Sequence, residues 1–169
     1  MSEFVKFEGF AELAKALHEL PERLAKNDLR AAVRAGATVI RKTAKAKAPK
    51  SSSAHYYYKQ TAKAVRKGKT QEKILIPPGN LRKNIIYKSI ASHGDDLTAK
   101  YIVTVRHKGS GVVGAPYAEG IFNEFGTSKM TAHPFLRPAF EQEKENAVKA
   151  IGKKLDERIQ KHAKDLNKK

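Results

Sequence analysis

Six histidines, two adjacent aspartates and two glutamates five residues apart are the side chains of this chain whose types could support chemistry. The histidines are His18, His55, His93, His107, His133 and His162, and no two stand at a metal-ligand spacing such as H-E-x-x-H. Asp95 and Asp96 could act as paired carboxylates, but Gly94-Asp95-Asp96 reads as a turn. Glu119 and Glu124 lie at i, i+5, a poor spacing for one helix face. The chain has no cysteine, so it offers no thiolate and no disulfide framework, and a reducing compartment fits. Without a nucleophile, a base and an orienting group, no reaction class can be assembled. The expectation is a protein that is not an enzyme, with no cofactor and no metal. A nuclease is the one enzyme class that the charge would suit.

That charge is +17 in 169 residues, and it is unevenly spread. From Arg41 to Leu75 there are eleven Lys and Arg against the single acid Glu72, a local excess of +10. Such a concentration attracts polyanions without regard to sequence. A solvated basic face with a flexible loop is the plainer alternative. Lys59, Lys63, Arg66, Lys67 and Lys69 are the candidate contacts to DNA or to an acidic partner protein. Tyr56-Tyr57-Tyr58 sits among them, and aromatic rings interleaved with cations can stack on bases. Three adjacent tyrosines cannot all face one side of a strand. An extended arm or hairpin whose tyrosines pack on a neighbouring surface therefore fits better.

The positioning elements follow from periodicity. With 40% hydrophobic residues the chain can fold, and its length suits one domain with a basic insertion at about 50–78. Met1 to Lys6 lacks a long apolar run, so no secretory signal is expected, and nothing approaches 18 consecutive apolar residues. Phe10, Leu13, Leu17 and Leu20 predict a short helix. A second helix is predicted from about Pro21 to Ala48, roughly 42 Å long at 1.5 Å per residue. Leu29, Ala32, Val33, Gly36, Val39, Ile40 and Thr43 form its apolar stripe, with Arg30, Arg34, Arg41 and Lys45 opposite. The small residues Ala32, Ala35 and Gly36 would let another element approach closely. Ile74-Leu75-Ile76, Ile85 to Ile90 and Lys100 to His107 read as strands, the last two as an antiparallel hairpin across a turn at Ser92 to Asp96. Gly109-Ser110-Gly111 and Gly114 make a loop, and Tyr117 to Phe125 a short helix or irregular segment. A last long helix is predicted from Pro138 to about Asn167. Glu141, Glu143 and Glu145 lie near its start and Lys161, Lys164, Lys168 and Lys169 near its end, a polarity that suits the helix dipole.

The stretch from Asn123 to Phe140 is dense in residues that fix a backbone. Gly126 permits positive φ. Pro134 biases His133 to an extended conformation, and Pro138 suits a first helical turn. The segment looks built to shape a contact.

Three motifs, in order, carry a resemblance to a known family. They are Ala46-Lys47-Ala48-Pro49 at a helix end, Gly79-Asn80-Leu81-Arg82 before a strand, and Tyr117-Ala118 … Glu124-Phe125-Gly126-Thr127 … His133-Pro134-Phe135-Leu136-Arg137-Pro138-Ala139. The set resembles the small tail-component family of long-tailed bacteriophages and prophages, the tail-completion or head–tail joining proteins, over roughly Phe7 to Lys154. Lys50 to Pro78 is longer and more basic than that pattern, and so is the interval between Tyr117-Ala118 and Glu124. The resemblance implies an α+β fold, a small antiparallel sheet packed against a long helix, with a short N-terminal and a long C-terminal helix. It implies a virion protein of the neck or tail, assembled in the bacterial host cytoplasm. Its implied partners are other neck or tail proteins and further copies of itself, in a ring expected to be sixfold around the DNA path. Glu124, Phe125, Gly126, Thr127, Pro134, Phe135, Leu136 and Arg137 become the expected assembly interface. Glu124 would brace its turn by pairing with Arg82 or Arg137, or else be a solvent-facing acid beside a buried Phe125. Phe135 and Leu136 would be core or subunit-contact anchors, and Arg137 a salt-bridge partner or a residue of a ring lumen. The competing reading is a stand-alone basic nucleic-acid-binding protein.

Overall fold

A computed structural model of the chain describes residues 22–59, 72–90, 98–107 and 115–166, with positions 11 and 15, both helical. The remainder of the expected Phe10–Leu20 helix, the Ser92–Asp96 turn, the Gly109–Gly114 loop and Lys63, Arg66, Lys67 and Lys69 lie outside the described residues. In chain order the elements are α1 (Glu22–Lys47), β1 (His55–Lys59), β2 (Glu72–Ile76), α2 (Asn80–Asn84), β3 (Ile85–Ile90), β4 (Lys100–Val105), α3 (Pro116–Phe125) and α4 (Leu136–Leu166). The class is mixed α+β, with a long C-terminal helix and two antiparallel sheets of two strands each.

The described residues gather in two compact units. The first draws on Met1–Thr43, Tyr87–Val103 and Phe140–Lys169. Here α1 and α4 run antiparallel along small residues. Ala25, Ala32 and Leu155 are buried together, with Leu29, Ile151 and Ile159 packed around them. Gly36 lies so close to α4 that a Cβ there would stand 2.7 Å from Ile151 Cγ1 and 3.0 Å from the Ala147 carbonyl oxygen. Thr43 donates to Glu143 at 3.0 Å one end further along. Arg41 lies over the Tyr87 ring at 4.7 Å, and Tyr87 meets Tyr101 edge-on. The small-residue stripe expected of this helix is thus its packing face.

The second unit comprises Ala44–Ile86 and Thr104–Ala139. Its buried apolar residues include Ala44, Ala48, Ile76, Leu81, Ile85, Val105 and Phe135. The tyrosine run forms a hairpin: β1 pairs antiparallel with β2, Tyr56 opposite Leu75 and Tyr57 opposite Ile74. Strand alternation splits the run between two faces. Tyr56 is exposed beneath the Lys73 ammonium, 3.8 Å from its ring centroid, and Tyr57 is half-buried. β4 ends at Val105, two residues before the expected His107, and the next N–H, that of Arg106, donates to the Asn84 carbonyl at 2.8 Å.

Candidate functional site

The motifs separated in sequence meet as hydrogen-bond partners. After α1, Pro49 cannot extend the helix, and the Ala48 carbonyl needs a donor. Arg82 supplies it: its Nε donates to the Ala48 oxygen at 2.7 Å. Gly79 holds φ at 75° in front of α2, a conformation that suits glycine, so Arg82 emerges in the first turns of α2. Asn80 and Asn84 are buried in that short helix, the Asn84 amide donating to both the Asn80 carbonyl and its side-chain oxygen. The Ala-Lys-Ala-Pro end and the Gly-Asn-Leu-Arg turn therefore form one joint.

Glu124 makes the second joint. It lies in the last turn of α3, 4% exposed. Its Oε2 accepts the N–H groups of Phe135 at 2.8 Å and Leu136 at 2.9 Å. Its Oε1 accepts the Arg137 N–H at 3.1 Å and Arg137 Nε at 3.0 Å. The guanidinium also donates to the Glu124 carbonyl at 2.9 Å. Three successive N–H groups at the start of α4 are donors that an α-helix leaves unpaired, so a carboxylate from another helix caps it. Burial pushes the Glu124 carboxyl up, but the donors from Leu136, Phe135 and Arg137 and the guanidinium outweigh it and hold it below the usual range. Of the two expected partners, Arg137 is the one engaged and Arg82 serves Ala48. The alternative of a solvent-facing acid beside a buried Phe125 is inverted: Glu124 is buried and Phe125 is 66% exposed. An acid one position before an exposed aromatic puts the carboxylate inward because the two project about 100° apart on the helix.

Between these anchors the chain is wound tightly. Gly126 holds φ at 74° and its N–H closes onto the Phe122 carbonyl. Thr127 and Met130 exchange backbone hydrogen bonds across a two-residue turn, and the His133 N–H returns to the Asn123 carbonyl at 2.7 Å. Thr127 and Pro134 are exposed and Leu136 is half-buried. Phe135 is completely buried, so its role is that of a core anchor of this segment and not that of a surface contact.

What the segment displays is an apolar ridge. Tyr117, Ile121 and Phe125 repeat at i, i+4 along α3, Phe122 stands beside them, and all four are exposed, as is Met130 in the turn. The ridge is bordered by cations and imidazoles. Arg137 lies over Phe125 at 5.0 Å, and His107 meets Tyr117 edge-on at 5.0 Å. On the inner side Gly120 lets α3 approach Val105 and Leu81. Glu119 pairs with His55 at 3.6 Å; burial pushes its carboxyl up, with His55 offsetting part of the rise. The backbone of Lys59 lies in β1, while the other candidate polyanion contacts are outside the described residues.

One charged cluster was not anticipated. Asp28 is 2% exposed, with His162 Nε2 2.7 Å from its Oδ2 and Arg158 3.7 Å from its Oδ1. The two atoms are within contact distance, although the imidazole is not aligned for a directed hydrogen bond to the carboxylate. The available signal was positional: Asp28 stands one turn before Ala32 on the packing face, and His162 continues the Leu155, Ile159 stripe of α4. Among the described residues no group of three or more His, Asp or Glu could hold a metal ion, and no helix is long and apolar enough to cross a membrane.

Residues 11–126 match the sequence model of a family described as "Bacteriophage HK97-gp10, putative tail-component". The match takes in the Ala-Lys-Ala-Pro end, the Gly-Asn-Leu-Arg turn and Glu124 through Gly126, and stops before the Pro134 segment and α4. No curated protein and no solved structure gives a significant match. With more than half of its length matched, including both joints' leading residues, the chain belongs to the HK97 gp10-like family of phage tail components.

Proposed function

We propose that the protein is a structural subunit of the virion neck or tail that works by protein–protein joining, as a tail-completion or head–tail joining component, and performs no catalysis. In this reading copies repeat as a ring, sixfold, around the DNA path, beside other neck or tail proteins, after synthesis in the host cytoplasm. The observation that carries it is the Tyr117, Ile121, Phe122, Phe125 ridge, held out on a segment pinned by Glu124. A contiguous apolar ridge on a small, highly charged protein marks a contact surface. A surface meeting a different surface on the next copy closes into a ring when the rotation fits. Phe125 through Thr127 with Pro134, Leu136 and Arg137 form the interface in this reading, and the buried Glu124 and Phe135 support them from within.

The test is the double variant Phe122→Ser/Phe125→Ser. Both side chains are exposed, so the subunit should keep its helical circular dichroism. Size exclusion with light scattering should show lost self-association or lost capture by the neighbouring neck proteins. Particles from a phage carrying the variant should be tailless or non-infectious. Infectious tailed particles from a folded double variant would refute joining through this ridge.

A further inference from the structure

The outer face of α1 carries a cationic ridge, and Asp28 of the same helix is turned away from it. Between Leu29 and Gln71 the sequence has twelve Lys and Arg and no Asp or Glu. Upstream, α1 carries two acids, Glu22 and Asp28. Asp28 is turned inward and held against His162 and Arg158, so it pairs with none of the outer-row cations. Glu143 of α4 accepts from Thr43 of α1 on the packing side. Exposed positions on α1 then follow an i, i+4 row, Arg30, Arg34, Thr38 and Lys42, with a ~6 Å rise per step. Among the described residues, none of Arg30, Arg34 and Lys42 faces an acid. Arg41 flanks the row, its guanidinium fixed over Tyr87.

We propose that this ridge of Arg30, Arg34 and Lys42 is a docking surface for the phosphate backbone of duplex DNA. An isolated surface cation is ordinarily paired or solvated. Three on one row of a rigid helix, with the local acid sequestered, make a preorganised line of positive charge. Its complement is a regular line of negative charge, which the phosphates of a duplex backbone present at every nucleotide. Thr38, the uncharged member of the row, donates its hydroxyl to the Arg34 carbonyl. The contact assigned to Arg30, Arg34 and Lys42 is to phosphate, which positions a duplex and carries no sequence information. It needs only a single copy of the chain, so it stands whether or not the subunit forms a ring.

The experiment is fluorescence anisotropy of a 24-base-pair duplex titrated with the full-length protein at several salt concentrations. Three proteins are compared: wild type, Arg30→Gln/Arg34→Gln/Lys42→Gln, and the charge-matched control Lys149→Gln/Lys153→Gln/Lys161→Gln, whose three lysines are exposed on α4. Each phosphate contact contributes about 0.9 to the slope of log K against log salt, so losing three lowers it by about 2.7. The α1 variant should show that drop and bind at least about tenfold more weakly near 0.15 M salt, while the control keeps the wild-type slope. Equal losses in both variants would reduce the effect to net charge and overturn the proposal. An unchanged α1 variant would overturn it too, as would tighter binding of poly-L-glutamate than of the duplex.

Discussion

Replacing Glu124 should expose how much of the fold hangs on one carboxylate. In Glu124→Ala the Phe135 N–H is left buried without its acceptor, and a hydrogen bond to a charged group contributes about 1.5–3 kcal/mol. The Leu136 and Arg137 N–H groups are only part-buried, so water recovers part of their loss, as at an ordinary helix N-cap worth about 0.5–2 kcal/mol. The whole change should reach about 3–5 kcal/mol. Glu124→Gln keeps an acceptor and loses the charge facing the helix N-terminus, an effect of about 1–2 kcal/mol. Arg137→Ala removes an ion pair whose cation is 64% exposed, and should stay under about 1 kcal/mol. Urea unfolding followed by circular dichroism reads all three. At an m-value of about 2 kcal/mol per molar, the alanine variant loses roughly 2 M of midpoint. The lowered Glu124 carboxyl adds a sign: its stabilisation is complete above the usual carboxylate range and is lost as pH falls through its depressed value. The gap between wild type and Glu124→Gln should therefore close in acid. If Arg137→Ala costs as much as Glu124→Ala, or the gap is flat with pH, the cap is not what holds this segment.

Gly36→Ala should destabilise by about 1–3 kcal/mol in the same assay, because the Ile151 tip can swing away but the Ala147 carbonyl, 3.0 Å from the new Cβ, moves only with α4. His162→Ala should cost about 3 kcal/mol by stranding buried Asp28, whereas Asp28→Leu/His162→Leu should be near neutral; equal losses in both would show packing and not charge at work. Glu119 has the opposite pH sign to Glu124: its raised carboxyl means the fold favours the protonated acid. Wild type should gain stability over Glu119→Gln as pH falls from neutral towards 4.5, measured by thermal unfolding.

The sequence by itself determined most of the elements and their kinds, though not that Asn80–Asn84 would form the short helix α2. The α1 stripe of Ala and Gly, the alternation of β4 and the charge polarity of α4 are local patterns, and local periodicity directs which residues turn inward. The family was legible for the same reason: its motifs carry glycines and prolines whose backbone demands are written in residue type, as at Gly79 and Gly126. Only the tertiary structure decided which motif meets which. Arg82 and Arg137 were equal candidates for Glu124 on charge alone. The choice fell to geometry, because the Ala48 carbonyl at a helix end stopped by Pro49 claims Arg82. That Phe125 is outside and Phe135 inside was equally invisible, since two aromatics flanking a turn differ in burial by rotation about the chain and not by hydrophobicity. Asp28 makes the point most sharply. Read in the chain it is one more acid against an excess of +17. Folded, it is buried on the packing face against a histidine far along the chain, and the outer row of α1 carries Arg30, Arg34, Thr38 and Lys42. Charge in a sequence is a sum, whereas the field that a partner meets depends on where each charge ends up.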